Sequence, residues 1–184
     1  MAAGLEIVRA QPKDFEGMKE LFERVAYPHY ARKGDARFNE QLLLWLRNKA
    51  ATLPNDLALE TPPYWVARRD GSVVGMCGYT ALQSKIHSMY VSERRTGIGT
   101  QLMKAALSAP EAVFPVLAHV VDTNVTAQDF YSRLGFTDSG ERGFWGLDAE
   151  RAIGMDYIKM HLTSPLLDVP HQRQEHALPS EIDK

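Results

Sequence analysis

The apolar positions of this 184-residue chain change period along its length, and each change marks an element. Leu5 to Ala10 alternates, which predicts a first strand. Pro12 then opens a helix whose apolar residues Phe15, Met18, Leu21, Phe22 and Val25 share one face, and Pro28 is expected to end it. After Gly34, Phe38 and the run Leu42 to Leu46 predict a second helix, broken before Pro54, and three prolines between Leu53 and Pro63 imply a loop. Tyr64 to Arg69 and Ser72 to Leu82 read as a hairpin about Asp70-Gly71, the strongest short turn signal in the chain. Gly75 and Gly78 thin the second of these strands, for a bulge or for the close passage of another group.

The next stretch, Ser84 to Leu107, joins three patterns in one piece. Lys85 to Val91 is β-branched and aromatic enough for a strand that pairs antiparallel with the hairpin, Glu93 to Thr96 is polar, and Ile98, Leu102, Met103, Ala106 and Leu107 recur at helical spacing. The helix is expected over Gly99 to Ser108, stopping before Pro110. Val116 to Val121 reads as a buried strand and Ala127 to Leu134 as a helix closed by Gly135. A strand, a crossover helix and a further strand predict parallel pairing across the centre of the sheet. Phe144-Trp145 and Met155 to Leu162 supply late strands that can pair with each other. Beyond Thr163 three prolines and many polar residues predict a loosely held tail, so the domain is expected over 1–163 and the tail over 164–184.

Candidate chemistry lies in the turn of the middle stretch, Arg94-x-x-Gly97-x-Gly99. Two glycines one residue apart let the backbone turn tightly and bring its amides close to a bound group. The amides of Gly97, Ile98, Gly99 and Thr100 then stand at the positive end of the following helix, beside the full charges of Arg94 and Arg95, so the natural ligand is a phosphate or pyrophosphate. There is no Gly-Lys-Ser/Thr, which removes the P-loop reading. A dinucleotide fold wants its glycines after the first strand, not in mid-chain. Taken alone, a Gly-x-Gly before a helix is also what a plain tight turn requires.

Composition narrows the classes. Hydrophobic residues at 45% and charged residues at 24% are ordinary for a globular domain, and 184 residues bury a core without disulfides or metals. A net charge of -2 with a pI near 6.3 gives no electrostatic footprint for nucleic acid or an anionic membrane. The lone Cys77, within an apolar run, reads as a small buried side chain and offers no metal cluster. No segment has the apolar length of a membrane span or the pattern of a leader, so a cytoplasmic protein is expected.

Arg94-Arg95-Thr96-Gly97-Ile98-Gly99, with the strand Ile86 to Val91 before it, resembles the (Gln/Arg)-x-x-Gly-x-(Gly/Ala) signature of the GNAT superfamily of acyl-CoA-dependent N-acyltransferases. Asn124 to Phe136 resembles that family's second block, Asn-x-x-Ala-x-x-Phe-Tyr-x-x-x-Gly-Phe. In one respect the chain departs from the pattern: only Ser92 and Glu93 separate Val91 from Arg94, about two residues fewer than usual. The resemblance implies an α/β (α+β) single-domain fold with a mixed, mostly antiparallel central sheet of about six to seven strands, flanked by helices and splayed at the coenzyme-binding strand. It implies acetyl-CoA as cosubstrate, no metal, and direct transfer of an acetyl group to a primary amine of a small molecule or a protein. Family members are often homodimers.

The same resemblance assigns residues. The backbone of Met89, Tyr90 and Val91 would run beside the pantetheine arm. Arg94, Arg95, Thr96, Gly97, Ile98, Gly99 and Thr100 would hold the pyrophosphate, and Asn124 would hydrogen-bond the arm or simply cap its helix. Tyr131 falls where the family often has a tyrosine serving as general acid, a role its phenol suits, or it is a wall residue. His87 is a candidate base or a structural histidine, with Glu93, Asp122 and His119 as weaker candidates. Tyr27, His29 and Tyr30, with Phe38 and Trp45, are candidates for the acceptor wall, although the last two also suit a core. A non-catalytic CoA or acyl-CoA sensor, and a purely structural α/β domain, are the competing readings.

Overall fold

A computed structural model of the chain describes residues 4–148 and 150–166. Seven strands form one sheet: β1 (Leu5–Arg9), β2 (Tyr64–Arg69), β3 (Ser72–Thr80), β4 (Lys85–Val91), β5 (Val116–Val121), β6 (Thr137–Gly146) and β7 (Gly154–Leu162). Their order is β1-β2-β3-β4-β5-β7-β6, antiparallel throughout except where β4 meets β5. Four α-helices flank it: α1 (Phe15–Tyr30), α2 (Ala36–Leu57), α3 (Ile98–Leu107) and α4 (Val125–Arg133). The expected fold class and the parallel centre are both present. The tail, from residue 167 on, lies outside the described residues.

The sheet has two buried faces and a core on each. Ile98, Leu102 and Met103 of α3 and Tyr131 of α4 pack with Ile86, Ala118 and Val120 on one side. Met18 and Phe22 of α1 and Phe38, Leu42 and Leu46 of α2 pack with Val66, Met76 and Met155 on the other. Each such aliphatic side chain contributes about 1.5–3 kcal/mol by leaving water. The β2–β3 hairpin turns on Asp70 (φ 52°) and Gly71 (φ 78°), the paired left-handed residues that a two-residue turn between twisted strands demands.

Four expectations about boundaries are corrected. Pro28 lies inside the last turn of α1, which continues to Tyr30, and Pro54 lies inside α2, which continues to Leu57. Burial of Leu53 and Leu57 against the core holds the last turns of α2 together despite the missing amide. β3 stops at Thr80, where Ala81–Gln83 turns as a 3-10 segment into Ser84 with a left-handed φ of 46°. β6 begins at Thr137, well before the aromatic pair that announces it, because its alternating residues are polar and exposed on an edge strand.

Candidate active site

The site is made by a fork in the sheet. β4 and β5 pair only through Lys85 with Leu117 and Ile86 with Ala118, and then they separate. The cause is local: Gly78 pairs with Ser88 but Tyr79 pairs with Ile86, so His87 is the extra residue of a β-bulge. A bulge raises twist and bends its strand, and this one stands where β4 leaves β5. Gly78 makes it feasible, since a Cβ there would lie 2.4 Å from the His87 ring. Beyond the fork the β5-facing backbone of Met89, Tyr90 and Val91 has no strand partner, although it stays paired to β3 on the other side. Met89 and Val91 pack into the α3–α4 core and Tyr90 into the α1–α2 core.

The glycine turn stands at the open end of the fork. Gly97 is the residue before α3 with φ 80°, a conformation that costs any other L-residue about 1–2 kcal/mol. Arg95 is also left-handed, at φ 62°. The amides of Ile98, Gly99 and Thr100 form the first helical turn and have no carbonyl within the helix, while Arg94, Arg95 and Thr96 are exposed around them. Gly99 faces the ring of Phe130 on α4, where a Cβ would approach to 3.2 Å. Gly75 plays a matching part beneath: a Cβ there would meet Ile98 and Leu102 at 2.9 Å, so its absence lets α3 lie low on β3 and carry its amides to the fork. The turn is therefore open to an anion and is not blocked by its own side chains. Arg94 Nη2 lies 3.5 Å from His29 Nδ1, which ties the turn to the end of α1, and Glu93 is engaged by Arg69 at 2.8 and 2.9 Å.

A cleft of about 440 Å³ opens beside the fork on the α1–α2 side. His29, Tyr30 and Phe38 line one wall, and Val121, Asp122, Asn124 and Met155 the other. The structure thus brings two of the three acceptor-wall tyrosine and histidine candidates together with the second sequence block. Tyr27 is half-buried against the α1–α2 core and does not line the cleft, and Trp45 likewise packs on that core. Asn124 caps α4, its Oδ1 accepting from the amide of Ala127 at 3.0 Å. A larger groove of about 750 Å³ between α1 and β3 approaches the glycine turn only at Ser92 and Glu93 and contains no part of the fork.

Tyr131 is 7% exposed, held edge-on between Phe130 and Phe136. Its hydroxyl makes no hydrogen bond among the described residues, and no buried side-chain oxygen or nitrogen there lacks a partner, so the oxygen faces open space. Burial pushes this phenol well above its ordinary range, and the neighbouring Cys77 and Tyr30 add to the shift. Tyr30 and Tyr131 come from opposite faces of the sheet; they feel one another where the fork leaves the sheet open. Burial also raises Tyr90, whose neighbours are Tyr30, Tyr131 and Tyr64. These surrounding phenols were not legible in sequence, because nothing in their spacing brings residues 30, 64, 90 and 131 together.

Both histidines of the fork are neutral at physiological pH. Burial, then Lys49 and Lys85, lower His87 to about 4; burial, then Lys85 and Lys159, lower His119 to about 4 despite the opposing effect of Glu141. His87 lies edge-on to Tyr64 with Nδ1 3.3 Å from Ser88 Oγ, whereas His119 stacks on Tyr157 with centroids 4.4 Å apart.

A sheet forked between β4 and β5, with a glycine turn and a helix N-terminus at its open end, is the GNAT fold. Residues 60–138 match the model of the acetyltransferase (GNAT) domain. The match covers both sequence blocks and leaves out α1 and α2. PaiA N-acetyltransferase from Thermoplasma acidophilum, solved in complex with coenzyme A, superposes with a TM-score of 0.68 at 17% identity, over 86% of this chain and 99% of that one. YncA from Salmonella typhimurium, solved with its cofactor acetyl-CoA, gives 0.59 at 20% identity, over 97% and 99%. A GNAT-family acetyltransferase from Bacillus cereus gives 0.59 at 13%, over 87% and 97%. No curated protein sequence matches. Among the described residues no helix is long and apolar enough to cross a membrane, and no group of acidic, histidine and cysteine side chains could hold a metal.

Proposed function

We propose that this protein transfers an acetyl group from acetyl-CoA directly to a primary amine held in the cleft beside Tyr30. The single observation that carries the reading is the fork, with the glycine turn and the unpaired amides of α3 at its mouth. The residues fit the coenzyme. Ile98, Gly99 and Thr100 offer amides, and Arg94 and Arg95 offer charge, for a diphosphate; the free edge of Met89 to Val91 offers donors and acceptors for an amide-bearing arm.

Acetyl-CoA supplies a thioester carbonyl, which the amine nitrogen attacks as the C–S bond breaks. Burial keeps the Tyr131 phenol protonated, so it can donate toward the sulfur as the thiolate leaves, and the proton that the amine nitrogen sheds on acylation restores the phenol. Met89 to Val91 present an unpaired strand edge to the fork, which suits them to orienting the carbonyl. His87 and His119, held neutral, accept hydrogen bonds but make weak bases, so the acceptor amine is best delivered already neutral. The coenzyme sets the location and supports a cytoplasmic setting only in so far as acetyl-CoA is found there.

Thioester consumption with a panel of primary amines tests the reading. Acetylated product, with turnover reduced in Tyr131→Phe, supports it; a chain that binds CoA and modifies no amine would be a sensor or scaffold.

A further inference from the structure

The glycine turn and the acceptor cleft meet at one pair of side chains. His29 lies exposed in the last turn of α1 and lines the cleft together with Tyr30, whose ring it meets edge-on at 5.1 Å. Arg94, beside the glycine turn, places Nη2 3.5 Å from His29 Nδ1. A guanidinium has donors and no acceptor, so Nδ1 accepts this bond, and in the neutral ring the hydrogen then resides on Nε2. Nδ1 is thus the basic nitrogen, and Arg94 covers it. The wall is pinned just beyond the ring, where Asn39 of α2 accepts from the Arg32 amide and donates to the Arg32 carbonyl, each at 2.8 Å.

His29 differs from the two histidines of the fork. His87 and His119 are half-buried and do not line the cleft, whereas His29 is open both to the cleft and to water. Asp122 and Asp156 line the same cleft, and Arg32 is committed to the Gly154 carbonyl and the Phe38 ring. Among the described residues the Arg94 guanidinium makes no ion pair and no hydrogen bond besides the one to His29, and its neighbour Glu93 is taken by Arg69. At 3.5 Å the hold of Arg94 on a neutral ring is weak, while a guanidinium–phosphate bond is short and about twice as strong as a neutral one. A diphosphate at the turn therefore takes Arg94 and uncovers Nδ1.

We propose that His29 removes the proton of the incoming ammonium, and that Arg94 covers the Nδ1 lone pair until the diphosphate of the coenzyme draws the guanidinium away. The ammonium N–H bond breaks as an H–Nδ1 bond forms on His29, and the amine keeps the electron pair with which it attacks the thioester. The imidazolium, exposed to solvent, passes its proton to water. The proton shed later, on acylation, is the one that restores Tyr131. Coenzyme binding thereby licenses the acceptor. The inference rests on the acetyl-transfer reading for the fate of the amine, but the exchange of Arg94 between His29 and a diphosphate does not.

The test has two arms. The first reads release of the CoA thiol with phenethylamine and ethylamine, each compared with its β,β-difluoro analogue, at about pH 8, where the parent amines are largely ammonium ions and the fluorinated ones largely neutral. His29→Asn should lower kcat/KM about a hundredfold for the parent amines and no more than about twofold for the fluorinated ones, a difference that a structural role does not produce. Its melting temperature establishes that it folds. The second arm needs no turnover: the ¹⁵N resonance of His29 Nδ1, identified by its loss in His29→Asn, should move when CoA is added and should start near its CoA-bound position in Arg94→Gln. Equal slowing of both kinds of amine, no slowing of the parent amines, or an Nδ1 resonance that CoA leaves in place overturns the proposal. If Nδ1 responds to CoA as expected but the wild-type protein consumes no thioester with any of the four amines, the exchange of Arg94 stands and the transfer reading falls.

Discussion

The ring of His87 occupies the space in which a Gly78 side chain would lie, with Cε1 2.4 Å and Nε2 2.7 Å from the position of a Cβ. Glycine and histidine are therefore one structural unit across the β3–β4 pair. Gly78→Ala should displace the ring, disturb the bulge and cost about 1–3 kcal/mol. Replacing His87 by alanine in that background restores the room, so the double variant should recover part of the loss. Denaturant unfolding of the two single variants and the double one measures the coupling, and simple additivity would show that the contact is unimportant.

Acidification should weaken the fold through the two fork histidines. Their folded values, about 4, lie below the ordinary 6.5, so between those limits the unfolded chain binds more protons than the folded one. The stability they contribute is complete above the unfolded value and is lost as pH falls from 6.5 toward 4. Melting temperature followed across that window should decline, and the decline should be shallower in the double variant His87→Gln, His119→Gln.

Tyr131→Phe removes one oxygen and leaves the ring between Phe130 and Phe136, so stability should change by no more than about 1 kcal/mol. Turnover should fall by about a hundredfold if the phenol supplies the proton to the leaving sulfur. Equilibrium binding of CoA should not change. Unaltered turnover would return Tyr131 to the role of a wall residue.

The two glycines of the turn should fail differently. Gly97→Ala meets no side chain nearer than 4.0 Å, and its cost is conformational, about 1 kcal/mol for holding alanine at φ 80°. Gly99→Ala has ordinary helical geometry but presses on Phe130 at 3.2 Å, beside the first-turn amides of α3. Calorimetric CoA binding should weaken about tenfold in Gly99→Ala, with a smaller loss of stability than in Gly97→Ala. The reverse order would mean that the amides of α3 are not the anion site.

Much of the sheet was legible because its signals are local. Asp70-Gly71 could only be a tight turn, and the apolar spacing from Ile98 to Leu107 could only be a helix packed on one face. The proline boundaries were misread since Pro28 and Pro54 lie in final turns where tertiary burial outweighs one lost hydrogen bond. For the candidate site, the glycine turn, Tyr131 and Asn124 were legible through their motif spacing, whereas the bulge at His87 and the facing of Tyr30 and Asn124 across the cleft were not.

By itself, then, the chain determined its elements, the glycine turn and the block around Tyr131, because each depends on residues a few positions apart. The tertiary structure alone decided where β4 leaves β5 and which residues line the cleft beside that gap. Those properties depend on strand register, and register joins residues such as His87 and His119 that no short-range pattern connects.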